Sequence, residues 1–257
     1  MNPDMNPESI DGTLSTDAIL LAAVHALGHR GLPQNPSHLD IGSGQGDLIA
    51  LMKTRFNARS QACDYTSELM RLTDVQVHVV DLDRQALPFD NGHFDVLTCT
   101  EVVEHLENPR SLMREMFRVT RSGGHIVMTT PNVLNLKSRM RYLFFGFFNL
   151  FGPLHFKDSR RYSTGGHITP ISCFYLVHGL IDAGFTDIQI GIDKPQSTST
   201  FWWVWLNPWI QFFSWLTRRK EVRKYETIDE GNLPWVKWMN SKQALLGRTV
   251  VVSARKP

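Results

Sequence analysis

The feature that most constrains this chain is the turn Asp40-Ile-Gly42-Ser-Gly44-Gln-Gly46. It stands between the short apolar strand His38–Ile41 and a helix whose apolar face is Leu48, Ile49, Leu51, Met52 and Phe56. Glycines spaced two apart let the backbone reverse tightly and come close to a ligand that any side chain would hold off. A strand entering a helix through such a turn is the first unit of an α/β layer fold, and the chain repeats that alternation. Thr16-Asp17 opens an earlier helix carrying Ile19, Leu20, Leu21, Val24 and Leu27, broken by Gly31-Leu-Pro33. Segments 61–64, 75–80, 95–99, 125–129, 188–192 and 249–253 read as strands. Segments 68–72, 112–117 (closed by Ser122-Gly-Gly124) and 174–183 read as helices. The expected fold is α/β, a doubly wound seven-stranded and mostly parallel sheet. Ligands of such sheets sit at the carboxyl ends of the strands, where strand order reverses.

The turn departs from the GxGxxG spacing that places a pyrophosphate at a helix N-terminus, because its third glycine comes one residue early. Asp47 follows, and an acid at the helix mouth repels phosphate. The spacing D-x-G-x-G-x-G instead resembles the first motif of the class I S-adenosylmethionine (SAM) methyltransferases, whose cofactor carries no phosphate. Leu87-Pro-Phe-Asp-Asn-Gly-His-Phe-Asp95, Glu101-Val-Val-Glu-His-Leu106, Thr130-Pro-Asn132 and Ala183-Gly-Phe185 are similar to further segments of that family. The resemblance covers 36–130 closely and 131–190 more loosely. It implies a Rossmann-like methyltransferase fold with aromatic helical insertions and an antiparallel last strand.

The same resemblance assigns a cofactor site to Asp40, Gly42, Ser43, Gly44 and Gly46 of the turn, with Asp64, Tyr65, Asp81, Leu82, Thr100 and Glu101 at later strand ends. Asp64 lies 18 residues after Gly46, where one carboxylate can accept both hydroxyls of a ribose. Asp81 or Asp83 is expected near the adenine amino group, with Asp81 preferred. SAM is the expected cofactor and S-adenosylhomocysteine the product.

Glu101, Glu104 and His105 have the spacing to share a helix face, and His167 follows His105 by 62 residues. The pattern resembles two groups of metal-dependent O-methyltransferases, one making ubiquinone-type ring ethers and one capping small RNAs. A divalent metal therefore stays open as a cofactor, but no metal ligand is assigned. In metal-free relatives the histidine lines the acceptor pocket and a glutamate caps the helix. The expected catalytic residues are His105, Glu104 and His167, with either histidine as general base toward an acceptor hydroxyl. His25, His29, His93, His125, His155 and His178 read as structural.

Composition bears on partners. Twenty-seven basic against 25 acidic residues leave a net charge of +2, which gives no ground to expect nucleic acid. Three cysteines without CxxC spacing suggest a reducing compartment. With no basic-then-apolar opening run, the expected location is cytoplasmic, at the inner face of the membrane. Placement at the membrane is suggested by all seven tryptophans falling between Trp202 and Trp238. The runs 139–151 and 201–216, the latter followed by the basic stretch 218–224, read as a lid, a homodimer contact or an interfacial membrane anchor. At 16 residues and interrupted by Pro208, the second run is short for a bilayer span.

The expected organisation is a leader and helix (1–35), a binding core (36–194) with a lid insertion (133–170), a Trp-rich basic insertion (195–246) and a final core strand (247–257). The expected activity is methyl transfer to a hydroxyl of a small lipophilic acceptor. Two other readings stay open: a catalytically silent SAM-binding scaffold at a membrane, and a nicotinamide-dependent oxidoreductase on the same sheet.

Overall fold

The structure, a computed structural model, describes residues 16–154 and 166–257. The leader 1–14, Gly165 and His155 lie outside the described residues. Seven strands form one sheet: β1 (Ser37–Ile41), β2 (Arg59–Asp64), β3 (Val77–Val79), β4 (Phe94–Thr100), β5 (Thr120–Pro131), β6 (Thr186–Ile192) and β7 (Thr249–Arg255). Their order is β3-β2-β1-β4-β5-β7-β6. All pairs are parallel except the two made by β7, which runs antiparallel between β5 and β6. Strand order reverses between β1 and β4, so the crevice for a ligand opens at their carboxyl ends.

Period-two alternation divides the core between the two faces of the sheet. Val96, Val127 and Val251 point to one face, where they meet Leu20, Ala23, Val24 and Leu27 of α1 (Asp17–Gly28) and Leu48 and Met52 of α2 (Asp47–Phe56). Their sequence neighbours Leu97, Ile126, Met128 and Val252 point the other way. There they pack on Leu112, Met113 and Met116 of α3 (Pro109–Val119) and on Leu176, Val177 and Leu180 of α5 (Cys173–Ala183). Truncating a fully buried leucine, isoleucine or methionine among them to alanine removes about 2–5 kcal/mol.

Two sequence expectations change. Residues 68–72 form no helix. Arg71 N–H donates instead to the Gln45 carbonyl at 3.2 Å, and Met70 and Leu72 pack over Gly46, so the segment bonds to the glycine turn and not to itself. Ser122-Gly-Gly124 does not close α3, which ends at Val119; the three residues lie inside β5, bent by Gly123 at φ +79°. Past β5 come α4 (Leu136–Phe145) and, after β6, α6 (Ser197–Lys220), α7 (Leu233–Trp238) and α8 (Lys242–Leu246). Pro208 lies inside α6 and does not end it. Among the described residues no helix is long and apolar enough to cross a membrane.

Candidate active site

The glycine turn is held open by left-handed backbone: φ is +73° at Gly42, +49° at Gly44 and +89° at Gly46, the residue that caps α2. A Cβ on Gly42 would stand 2.2 Å from Val102 Cγ2, so the turn passes directly under the loop after β4. Gly42 N–H donates to the Cys63 carbonyl at 2.8 Å. Gly44 N–H and Tyr65 N–H donate to the two oxygens of Asp64, at 2.8 and 2.7 Å. Asp64 thus ties the turn to the end of β2. Burial raises its pKa against the opposing pull of the Gly44, Tyr65 and Thr66 amides.

A buried polar chain runs beneath the turn. Thr98 Oγ1 donates to Asp40 at 2.5 Å, and His38 bridges Thr98 (2.8 Å) and Ser60 (2.9 Å). Since the Thr98 proton goes to Asp40, His38 donates to Thr98 through Nε2–H and accepts from Ser60 at Nδ1. Burial lowers the His38 pKa to about 3. Burial also raises Asp40 to about 7, with the Thr98 bond pulling it down and Asp64 pushing it up.

Above the turn opens a cavity of about 340 Å³. Twelve of the fourteen expected site residues line it: Asp40, Gly42, Ser43, Gly44, Asp64, Tyr65, Asp81, Leu82, Thr100, Glu101, His105 and His167. Gly46 shapes the turn and Glu104 is fully buried; neither lines the cavity. Gln45, Leu69, Val80 and Val102 also line it and were not singled out in the sequence. Gln45 stands at a position that the D-x-G-x-G-x-G pattern leaves unspecified, and the other three are apolar residues without a chemical signature. Ser43 Oγ and Gln45 Oε1 are buried with no partner, which is the condition of groups set to bond a polar ligand. The two candidate adenine acids differ. Asp83 Oδ1 accepts from the Glu107 and Asn108 amides at 2.8 and 3.1 Å and so holds that loop. Asp81 is engaged by the Asp83 amide at 3.1 Å and by Arg84 at 3.7 Å.

The expectation that Glu101, Glu104 and His105 share a helix face is corrected. Val103–His105 is a single 3₁₀ turn, and Glu101 precedes it at φ +55°, a left-handed geometry outside any helix. Glu101 Oε1 accepts from Thr129 Oγ1 at 2.9 Å. Burial raises its pKa to about 7, the Thr129 bond opposing.

The group that does converge is Glu104, His105 and His167, with one ligand atom from each inside a 4.8 Å span. His105 Nδ1 lies 3.2 Å from the Gly166 carbonyl and His167 Nδ1 2.9 Å from the Leu150 carbonyl. A carbonyl only accepts, so each ring carries its proton on Nδ1 and keeps the lone pair on Nε2. The rings meet edge to face at 4.7 Å. Burial and then His167 lower the His105 pKa to about 4, and burial lowers His167 as well. Glu104 Oε2 accepts from Thr130 Oγ1 at 3.0 Å, while Oε1 is buried without a partner among the described residues. Burial and then Glu101 push the Glu104 pKa upward. The Glu104 carbonyl accepts from the Ile168 and Thr169 amides, both at 2.9 Å, which fastens the His167 loop to the loop after β4.

Seven strands in this order, a glycine turn under the β4 loop and an acid closing β2 make up the fold of the class I SAM-dependent methyltransferases. A family model described as "Methyltransferase domain" matches residues 39–128. A ubiquinone biosynthesis O-methyltransferase of Cupriavidus pinatubonensis is 32% identical over 108 residues, 39% of this chain and 43% of that protein. Its counterpart in Psychrobacter arcticus is 30% identical over 176 residues, 64% of this chain and 65% of that protein. The chain thus spans under half the length of the Cupriavidus relative. Among solved structures, a SAM-dependent methyltransferase from Archaeoglobus fulgidus superposes with a TM-score of 0.58 at 15% identity, covering 95% of both chains. The matched segment is thus similar to a methyltransferase domain, and the sheet has the fold of SAM-dependent methyltransferases. Ser43, Gln45, Asp64 and the cavity above them suit a cofactor with a polar ribose and no phosphate.

Proposed function

We propose that this protein transfers the methyl group of SAM to a hydroxyl oxygen of a small, lipophilic acceptor. The observation that carries the reading is the pair of imidazoles at the cavity, each with Nδ1–H committed to a backbone carbonyl and the lone pair on Nε2. The bound cofactor supplies an electrophilic methyl on a sulfonium, so the protein's main task is alignment. Asp64 receives the ribose hydroxyls and Asp81 the adenine amino group. His105 Nε2 takes the acceptor's proton as the oxygen attacks, and Glu104 holds the turn that carries His105. The half-buried Leu82 and the buried Leu106 exclude water from that side. Oxygen as acceptor atom is also the chemistry in the names of the Cupriavidus and Psychrobacter relatives.

A second reading is favoured by the unpartnered Glu104 Oε1. That oxygen and the two Nε2 lone pairs are a donor set for Mg²⁺, Mn²⁺ or Zn²⁺, and histidines held by carbonyls at the far nitrogen are how such ligands are oriented. A metal there would act as a Lewis acid on the acceptor hydroxyl, in place of a base.

The test measures S-adenosylhomocysteine release from a panel of phenols, prenylated quinols and cell lipid extracts. Product from hydroxylated acceptors but not their O-methyl ethers is expected. Methylation of amines alone would overturn the oxygen assignment. Binding of NAD(H) instead of SAM by calorimetry would overturn the reading entirely. Activity lost in EDTA and restored by a divalent ion selects the metal over the base.

A further inference from the structure

The helix α6 is hydrophobic over half of its circumference, and that half is uncovered. At ~100° per residue, Phe201, Trp202, Val204, Trp205, Trp209, Phe212, Phe213, Trp215 and Leu216 fall in one arc of roughly 180°, and all are exposed. Phe201, Trp205 and Trp209 keep 65%, 67% and 64% of their surface open. The opposite arc, Trp203, Leu206, Asn207, Ile210, Ser214 and Arg218, is partly covered. On that inward side Lys242 lies over the Trp203 ring at 5.1 Å. Asn240 donates to Ser214 Oγ at 3.0 Å, and its carbonyl accepts from Gln211 at 2.8 Å. The helix is therefore docked by its inner side, and the apolar arc is presented outward on a fixed base. The helix α4 packs on α6, is tied to the same Asn240 through Arg139 at 2.7 Å, and exposes Leu143, Phe144 and Phe145.

The arc ends in positive charge. Arg218, Arg219 and Lys220 form the last turn of α6, and Arg223 and Lys224 follow in a π-helical turn. None of the five makes an ion pair among the described residues. Arg219 stacks on Trp215 at 4.3 Å. Arg218, Arg219, Arg223 and Lys237 line a cleft of about 240 Å³ that has no acid in its lining. One acid, Glu221, lies within the run and accepts from Thr227 Oγ1, while Glu226, Asp229 and Glu230 come after the helical run has ended.

We infer that the outer arc of α6, with α4 beside it and the basic end of α6 at its margin, is a docking surface for an anionic lipid bilayer. Tryptophan favours the headgroup boundary, and lysine and arginine beside it favour anionic lipid. A helix of 24 residues with aromatic residues along its outer side lies in the interface plane and does not cross it. A second copy of the chain is a poorer occupant by charge. Packed antiparallel, the five cations face Ser197–Thr200, which holds no carboxylate; packed parallel, they face each other. The surface adjoins the candidate site, because Phe151, just past α4, packs on His167 at 5.2 Å. An acceptor dissolved in the bilayer would then reach the cavity from the docked side.

The experiment is flotation of the purified protein with vesicles of phosphatidylcholine alone, or with roughly one-third phosphatidylglycerol, at low and high salt. It contains no methyl donor, so its outcome is independent of the catalytic reading. The expected result is flotation on the anionic vesicles that weakens with salt, with tryptophan emission shifting to the blue. Arg219→Gln with Lys220→Gln should lower the partition coefficient by about 25-fold, on the order of fivefold per charge. Trp205→Ser with Trp209→Ser should lower it by roughly tenfold or more. Unchanged thermal melts of both variants exclude misfolding as the cause; should either melt early, Trp205→Gln alone and Arg219→Gln alone replace them. Equal binding to neutral vesicles, or no flotation, overturns the inference. So does a concentration-dependent dimer that the tryptophan variant dissolves.

Discussion

The sharpest test of the turn geometry is Gly42→Ala, alone and together with Val102→Ala. Two costs add in the single variant. Alanine at φ +73° pays about 1–2 kcal/mol for left-handed backbone. Its Cβ also arrives 2.2 Å from Val102 Cγ2, and forcing a β-branched neighbour aside costs about 1–3 kcal/mol more. Gly42→Ala should therefore lose about 2–5 kcal/mol. Val102→Ala alone should lose about 1.6 kcal/mol, two methylene equivalents at ~0.8 each. In the double variant the clash is gone and only the backbone term and the lost packing remain, about 2.5–3.5 kcal/mol. The cycle thus predicts a favourable coupling of about 1–3 kcal/mol. Urea unfolding followed by far-UV circular dichroism measures all four proteins, and a calorimetric SAM titration shows whether the turn's shape recovers with its stability. Strict additivity, within about 0.5 kcal/mol, would mean that Val102 does not press on the turn, and the account of how the β4 loop seals it would fall.

Other outcomes follow from the same geometry. Asp64→Asn keeps one acceptor but sets an amide N–H against a backbone N–H, so SAM affinity should drop by about 10–100-fold; calorimetry showing no change would remove Asp64 from the site. His38 is neutral in the fold, with a pKa near 3 against about 6.5 unfolded. Its contribution is complete above pH 6.5 and is lost as pH falls toward 3. The stability advantage of wild type over His38→Leu should therefore shrink by about 1.4 kcal/mol per pH unit below 6.5, and a gap that stays constant in urea melts from pH 7 to 4.5 would contradict a buried neutral imidazole. Asp83→Ala frees the Glu107 and Asn108 amides and should cost about 1–3 kcal/mol of stability while sparing SAM affinity more than Asp81→Ala does; the reverse order in binding would exchange the two roles. Glu104→Gln should lower turnover at least tenfold under either reading of the site. Only a metal makes the wild type sensitive to EDTA, and activity untouched by EDTA ends that reading.

How much of this was legible in the sequence depends on where each contact comes from. The cofactor half is built from strand ends and the turn, all within residues 40–101. There, local spacing fixes geometry: a glycine triplet between a strand and a helix has one way to fold, and an acid closing the next strand must lie beside it. The antiparallel direction of β7 came from the family resemblance alone, because the apolar run Thr249–Ser253 marks a strand without giving its direction. Readings failed where a segment's backbone found partners outside itself. Residues 68–72 have helical composition, but the Arg71 amide bonds to Gln45 and their side chains cover Gly46. ExxEH has the spacing of a helix face, yet the chain after β4 must pass over Gly42. It does so by putting Glu101 at positive φ, which leaves Glu101 outside the triad it was expected to join.

The acceptor half has no comparable local code. Its geometry depends on two loops 62 residues apart in sequence (His105 and His167) being clamped together by the Glu104 carbonyl, which takes the amides of both Ile168 and Thr169. The Gly166 and Leu150 carbonyls then fix the tautomers of the two rings. None of these five backbone groups has a sequence signature, because a carbonyl or an amide is the same in every residue that is not proline. The histidines could be singled out by type, but their joint orientation could not. This division has a chemical consequence. Side-chain changes at His105 or His167 should alter the reaction without disturbing the loop clamp. Changes at Gly166 or Thr169 should displace both rings together, lowering turnover while leaving SAM affinity, which is set 20 residues and more upstream of His105 by Asp64 and the turn, close to its starting value.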